Sequence, residues 1–368
     1  MSHSRRSVLK YGAELTAAGT AASLAGCSGS ADGGSGGFDS GYAAFFTLSD
    51  WANRVAGDHA SFEDPVEVGR LGHGWSPDGN LAAEVASTDA FVYLDSSEFS
   101  WAQDLAATLE QDYDSVAVID GLAGLEGDLL DWDHSHGDDA DEDAHDDEDA
   151  HDDEDAHDDE DAHDDEDAHD DEDAHDDEDA HDDEDDHEEG QYDPHVWTDP
   201  VLAADVVETI AAGLGEADPD NAADYEDNAA AYEEELDAVD TAFESIAEEA
   251  ARDVAVIAGH NSFQYLEERY GFRLHSPVGV SPQNEPSQSE IADTIETVNA
   301  EGIDTVLYDR FESSTLAETI VENSDATETM AVSPAGGTTR EWNDAGYGYL
   351  EQMTEINVPA FERAFGVQ

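Results

Sequence analysis

From residue 144 to residue 185 the chain repeats Ala-His-Asp-Asp-Glu-Asp seven times. No apolar residue larger than alanine occurs between His136 and Gly190. Such a segment buries too little surface to offset its ordering entropy, so residues 134–189 are expected to be a disordered loop. Any core must be built from the stretches on either side. Ten of the sixteen histidines fall in this loop: His134, His136, His145, His151, His157, His163, His169, His175, His181 and His187. A histidine every six residues winds around a helix rather than lining one face. The composition does suit weak capture of transition-metal ions, through imidazole and carboxylate oxygen. A merely solvated acidic linker would need no histidine, least of all at a fixed interval.

Acids number 96 against 11 lysines and arginines, a formal net charge of −85. The repeat holds no base, yet outside it acids still outnumber bases several-fold. That balance is expected of a protein working in very high salt, where self-repulsion is screened over short distances. Nucleic acid and anionic lipid surfaces are excluded as partners, because both require basic patches.

The single cysteine, Cys27, rules out intrachain disulfides and thiolate zinc clusters. It closes the sequence Leu24-Ala25-Gly26-Cys27, which resembles a lipobox, and Ser4-Arg5-Arg6-Ser7-Val8-Leu9-Lys10 before it resembles a twin-arginine export signal. Residues 1–27 are therefore expected to be a signal with Cys27 as the lipidation site, and residues 28–40 a flexible tether. No other stretch is long and apolar enough to span a membrane. The expected product is a monomer exported already folded and anchored by its N-terminal lipid to the outer face of the cytoplasmic membrane.

Strand-like and helix-like segments alternate on both sides of the loop, the signature of parallel β/α units. Strands are expected at 43–48, 65–68, 90–94 and 115–119, and after the loop at 254–258, 305–308 and 328–332. Helices are expected between them, with a closing helix within 342–365 that Pro359 interrupts. One element differs in scale. Ala222, Tyr225, Ala229, Tyr232, Leu236, Val239, Phe243 and Ile246 follow a 3,4,3,4 spacing, with Asp218 as the expected N-cap and Pro219 in the first turn. About thirty residues of helix reach roughly 45–50 Å. This is too long for a routine crossover. The fold class expected is α/β: two β/α lobes with parallel sheets (41–217 and 251–368) joined by a long rigid helix (218–250), with a metal site in the cleft between them.

Six histidines lie outside the loop, and three of them follow expected strands, where β/α domains place ligands. His73 lies in Leu71-Gly72-His73-Gly74-Trp75, His195 in Asp193-Pro194-His195-Val196-Trp197-Thr198-Asp199-Pro200, and His260 in Gly259-His260-Asn261-Ser262-Phe263. Three imidazoles and one further ligand make a tetrahedral zinc site. His59 and His275 are read as non-ligands, the latter in a turn before Pro277. Trp75 and Trp197 are read as shielding the site from solvent.

These segments resemble the zinc and manganese substrate-binding proteins of ABC importers, the ZnuA type. The resemblance covers roughly residues 42–366. Its most specific element is the Asp193–Pro200 motif. Ala56-Gly57-Asp58, the Asn228/Tyr232/Leu236 register, His260-Asn261-Ser262-Phe263 with Tyr270-Gly271, and Ser281-Pro282 with Glu285-Pro286-Ser287 support it. The resemblance implies two β/α lobes joined by a long helix. It also implies His73, His195 and His260 as metal ligands, and a His/acid-rich loop as the mark of zinc members. Such proteins often add a carboxylate ligand after a late strand. Here Ser333 stands in that region, and a neutral hydroxyl is a poor zinc ligand. Ser333 and Glu312 are retained as groups around the site, Glu312 as an orienter of a ligand histidine.

The expected function is a non-enzymatic, membrane-anchored receptor delivering Zn2+ to an ABC permease and its ATPase. Mn2+ is disfavoured because it prefers oxygen ligands. A surface metal store or adhesin is one alternative. An exported three-histidine zinc hydrolase is another, although the chain has no HExxH helix.

Overall fold

The structure is a computed structural model, and it describes residues 38–72, 74–131, 192–279 and 286–367. The first lobe contains β1 (Ser40–Ala43), α1 (Phe46–Ala56), β2 (Ser61–Glu63), α2 (Leu81–Val85), β3 (Ala90–Tyr93), α3 (Ser100–Asp112), β4 (Ala117–Asp120) and α4 (Pro200–Ala217). A long helix, α5 (Ala222–Glu249), follows. The second lobe contains β5 (Val254–Ile257), α6 (Gln264–Tyr270), β6 (Arg273–His275), α7 (Gln288–Glu301), β7 (Thr305–Asp309), α8 (Thr315–Glu322), β8 (Glu328–Val332) and α9 (Arg340–Ala345). A closing helix runs through Tyr349–Glu351, a π-helical turn at Gln352–Asn357, and Val358–Phe365.

Each lobe carries a four-stranded, all-parallel sheet, in the orders β2-β1-β3-β4 and β6-β5-β7-β8. The two sheets repeat one topology. In each, the strand order reverses at its centre, between β1 and β3 or between β5 and β7, and the crevice at such a switch point is where open α/β sheets bind ligands.

Several local expectations shift. The apolar run 43–48 splits between the end of β1 and the start of α1, because Leu48, Trp51, Ala52 and Val55 continue it at helical spacing as the buried face of α1. The tether expectation also ends too late, since Ser40 already pairs in β1. The second strand is Ser61–Glu63, not 65–68. Beyond Glu63 the Asp64 carboxylate accepts the Val66 amide at 2.8 Å, turning the chain out of the sheet just where Pro65 offers no N–H. His275 belongs to β6 and not to a turn. Asp218 does not cap α5. It ends α4, accepts from Asn221 Nδ2 and Tyr225 Oη at 2.7 Å each, and leaves Asn221 as the first flanking residue.

The long helix has 28 residues, about 42 Å at 1.5 Å each. Tyr225, Ala229, Tyr232, Leu236, Val239, Phe243 and Ile246 are all buried along one stripe. Near its start Asn228 donates to Val55 O of α1 at 2.9 Å, and Arg54 of α1 lies over the Tyr232 ring at 4.8 Å. Near its end Phe243 meets Tyr270 of α6 and Phe361 of the closing helix, with centroids 5.6 and 5.4 Å away. One apolar cluster therefore runs from the first lobe through α5 into the second. Truncating Phe243 to alanine should lower unfolding free energy by about 3–5 kcal/mol, the usual cost of emptying an aromatic core position. Denaturant melts in high salt would measure it, and a loss below about 1 kcal/mol would mean that the lobes do not depend on this joint.

Candidate metal centre

His195 begins a short 3-10 turn, His195–Thr198, leading into α4. The turn is fixed at both ends. Asp199 caps α4 by accepting the amides of Val201 (2.9 Å) and Leu202 (3.4 Å), and its carboxylate takes Arg269 Nε at 2.6 and 2.5 Å. Burial raises the Asp199 pKa, while the Arg269 contact opposes that rise. Upstream, Asp193 N donates to Leu130 O at 2.8 Å and Asp193 O accepts Tyr265 Oη at 2.7 Å. Asp193 Oδ1 accepts both the His195 amide at 2.9 Å and His195 Nδ1 at 2.6 Å. A carboxylate only accepts, so Nδ1 carries the proton and Nε2 is the nitrogen with the lone pair.

His260 follows the fully buried strand β5, at the switch point beside β7. Its Nδ1 donates to Glu312 Oε1 at 3.0 Å, which again assigns the lone pair to Nε2. Gly259 makes this approach possible. Its φ is +151°, and a Cβ there would lie 2.5 Å from Glu312 Oε2. Burial disfavours the His260 cation, but the Glu312 hydrogen bond and the charges of Asp309, Glu312 and Asp193 outweigh it and raise the pKa above 6.5. Asp309, the last residue of β7, is fully buried, and burial pushes its carboxyl up to about 7.

The His195 and His260 rings lie 5.7 Å apart by centroid, with 40° between planes. Both are essentially inaccessible to solvent, at 0 and 1 % exposure. Ligand atoms of His260, Asp309 and Glu312 fall within 4.8 Å of one another. Among the described residues, Asp193 Oδ2 and Asp309 Oδ2 are buried carboxylate oxygens without a hydrogen-bond partner. Two imidazoles presenting Nε2, surrounded by buried acids, suit a divalent cation and no neutral ligand. Trp197 tilts against His195 at 5.4 Å and packs on Phe45 and Phe99, closing this side with aromatic surface.

Gly72 packs where a Cβ would meet Phe99 at 2.8 Å and Phe45 at 3.2 Å, so the chain entering the next residue passes close to that aromatic wall. His73 itself, Cys27, the ten loop histidines and residues 280–285 lie outside the described residues. Ser333 is buried, and its hydrogen bonds run to Gln352, Asn357 and Ala335; among the described residues none reaches a histidine. His59 pairs with Asp224 of α5 at 2.9 Å and His275 with Thr294 of α7 at 3.0 Å. Trp75 meets Trp101 edge-on at 4.8 Å. The sequence reading gave no role to Asp193, Asp309 or Gly259. Only the two-residue spacing of Asp193 before His195 offered a signal.

A family model described as "Zinc-uptake complex component A periplasmic" (ZnuA) matches residues 42–364. The chain is 28% identical over 322 residues to the "Zinc-binding lipoprotein AdcA" of Streptococcus pneumoniae serotype 4, covering 87% of this chain and 54% of that protein. It is 30% identical over 163 residues to the "High-affinity zinc uptake system protein ZnuA" of Bacillus subtilis, covering 44% of this chain and 50% of that protein. The chain thus spans about half the length of the curated relatives it matches. In fold it is similar to the crystal structure of the Zn(II)-bound ZnuA-like domain of Streptococcus pneumoniae AdcA. That match has TM-score 0.64 and 24% identity, over 89% of this chain and 99% of that one.

Proposed function

The chain belongs to the ZnuA family of zinc-uptake components, and from that premise we propose that it is an exported receptor that captures Zn2+ and hands it to an ABC permease and its ATPase. The observation that carries this reading is the pair of buried imidazoles, each with Nδ1 bonded to a carboxylate. His195, His260 and His73 are the ligands in this reading. Asp193 and Glu312 hold two of the rings in the ligating tautomer. A nitrogen-rich set favours zinc over manganese. The reading is a receptor and not an enzyme. Metal analysis and calorimetry on the protein purified in high salt test it: one tight zinc per chain supports it, and weak binding or turnover of an ester or peptide substrate sinks it.

The histidine-rich segment enters this reading as a collector. Its described flanks meet in an antiparallel bridge, Asp131 to Tyr192, three residues before His195. Tethered weak ligands raise the local zinc concentration beside the site. Deleting residues 138–189 should leave one tight zinc and remove several weak ones, with growth impaired only in chelated medium. Uptake lost at every zinc level would instead give the segment the primary site.

Membrane anchoring at Cys27 completes the proposal. A Cys27→Ser protein should partition into the soluble fraction with its zinc affinity unchanged. If it still sediments with membranes, the anchor lies elsewhere.

A further inference from the structure

Immediately after β8 the chain crosses to the first lobe before the closing helix returns to its own. Its next residues are tied to the first lobe. Pro334 O accepts Trp197 Nε1 at 2.7 Å, and Ala335 O accepts the Thr47 hydroxyl. Gly337 forms an antiparallel bridge with Leu71, and Thr338 O accepts the Gly69 amide at 2.8 Å. The two backbones touch, because a Cβ at Gly337 would lie 2.4 Å from Arg70 O. Residues 334–338 thus form a strap along residues 69–72, the segment that leads into His73. The strap is also strained: Ala335, at φ +55°, is the only non-glycine positive-φ residue among those described.

Something must hold that conformation from the other side. Gln352 and Asn357 do so. Both are fully buried, and they open and close the π-helical turn. Asn357 Oδ1 accepts the Ser333 amide at 2.8 Å and its Nδ2 donates to Ser333 O at 2.9 Å. Gln352 Oε1 accepts Ser333 Oγ at 2.5 Å, and its Nε2 donates to Gly337 O at 3.1 Å. Ser333 Oγ in turn accepts the Ala335 amide at 3.0 Å. In an α-helix, residues five apart point about 140° away from each other. The i→i+5 turn brings them onto one face, where both reach the strap. Pro359 accounts for the turn: its missing N–H and its ring disfavour the α-helical bond to residue 355, so the helix widens there, and the break within 342–365 falls instead at Gly346, between α9 and the closing helix.

We propose that Gln352 and Asn357 are positioning residues for metal capture: they set the strap, and the strap fixes the 69–72 segment and with it the first ligand turn. The proposal rests on the reading of His73 as a zinc ligand. None of these residues is a ligand in that reading, so their effect must appear as altered affinity together with altered mobility of residues 69–72.

The test uses full-length Gln352→Met, which keeps bulk but removes both hydrogen bonds, and Gly337→Ala, which attacks the same joint from the strap. A Val298→Ala protein serves as a stability control, since Val298 sits in a separate apolar cluster of the second lobe. Zinc affinity is read by chelator competition in high salt, and amide exchange at 69–72 is read on the metal-free protein. Both strap variants should bind zinc on the order of tenfold more weakly and exchange faster at 69–72, while the control loses melting temperature alone. Wild-type affinity in both strap variants overturns the proposal, as does an affinity loss in the control matching theirs. Unchanged exchange at 69–72 removes the strap even without metal. A wild-type chain that binds no zinc tightly overturns the functional reading itself, and the exchange data then judge the strap alone.

Discussion

Replacing His195 with alanine is expected to abolish tight zinc binding while the two lobes still fold. Removing an outer carboxylate from a metal-bound histidine typically costs about 10–100-fold, and losing the imidazole itself should cost more, on the order of a thousandfold. The fold should survive because the turn is held by its backbone and by Asp199, not by the ring. Asp193 still accepts the residue-195 amide, and Asp199 keeps its cap and its Arg269 pair. The stability cost is that of a buried cavity and one lost hydrogen bond to a charged group, about 2–4 kcal/mol. Asp193→Asn is the graded companion. It keeps size but weakens the hold on Nδ1, and should fall in the 10–100-fold range. Calorimetry with a competing chelator ranks the three proteins. Unchanged affinity in His195→Ala would remove it from the site. Equal losses in the two variants would mean that Asp193 is itself a ligand and not an orienter.

His195 and His260 stood out because imidazole is rare outside the repeat; His260 does follow a strand, β5, whereas His195 follows only the isolated bridge at Tyr192. Of the carboxylates, Glu312 was named beside them and does accept His260 Nδ1, but Asp193 and Asp309 were not singled out. With 96 acids in the chain, an aspartate beside a ligand has no compositional contrast. Only burial separates Asp193 and Asp309, each 1 % exposed, from the many solvated acids, and burial is a property of the folded state. The long helix was legible because both lobes press on one stripe of it, which writes a regular spacing into the sequence. Its start was misjudged by a few residues, because whether Asp218 ends one helix or begins the next depends on how far α4 continues. The π turn could not be read at all. Pro359 announced a disturbance, but that it widens the helix and turns Gln352 and Asn357 toward residues 333–337 is visible only in the fold.

Raising the pH from about 5 to 8 should weaken the metal-free fold and strengthen zinc binding, so the two stabilities move in opposite directions. Burial raises the carboxyls of Asp309, Asp64 and Glu267 to about 7 each. Asp50, Asp120, Asp199, Asp205 and Glu233 are raised too, burial again the leading cause. Only Glu328 is lowered among the described carboxyls with a resolved shift, by the Arg363 hydrogen bond at the surface. Between about pH 4 and 7 the folded state keeps protons that the unfolded state has lost, so stability falls as pH rises. The raised His260 pKa acts in the same sense: its contribution is complete below about 6.5 and is lost as pH climbs through the folded value. His275, lowered by burial, opposes it weakly. The net loss should be on the order of a few kcal/mol in high salt, where general acid–acid repulsion is screened. Zinc reverses the sign, because it needs neutral imidazole and must displace the His260 proton. Added zinc should therefore raise the melting temperature strongly at pH 8 and scarcely at pH 5. Melts of metal-free and zinc-loaded protein at fixed salt across this range would show the two curves diverging upward in pH. Metal-free protein that gains stability from pH 5 to 8 would show that the buried acids are ionised in the fold and compensated by partners other than these. A zinc increment independent of pH would show that His260 does not ligate.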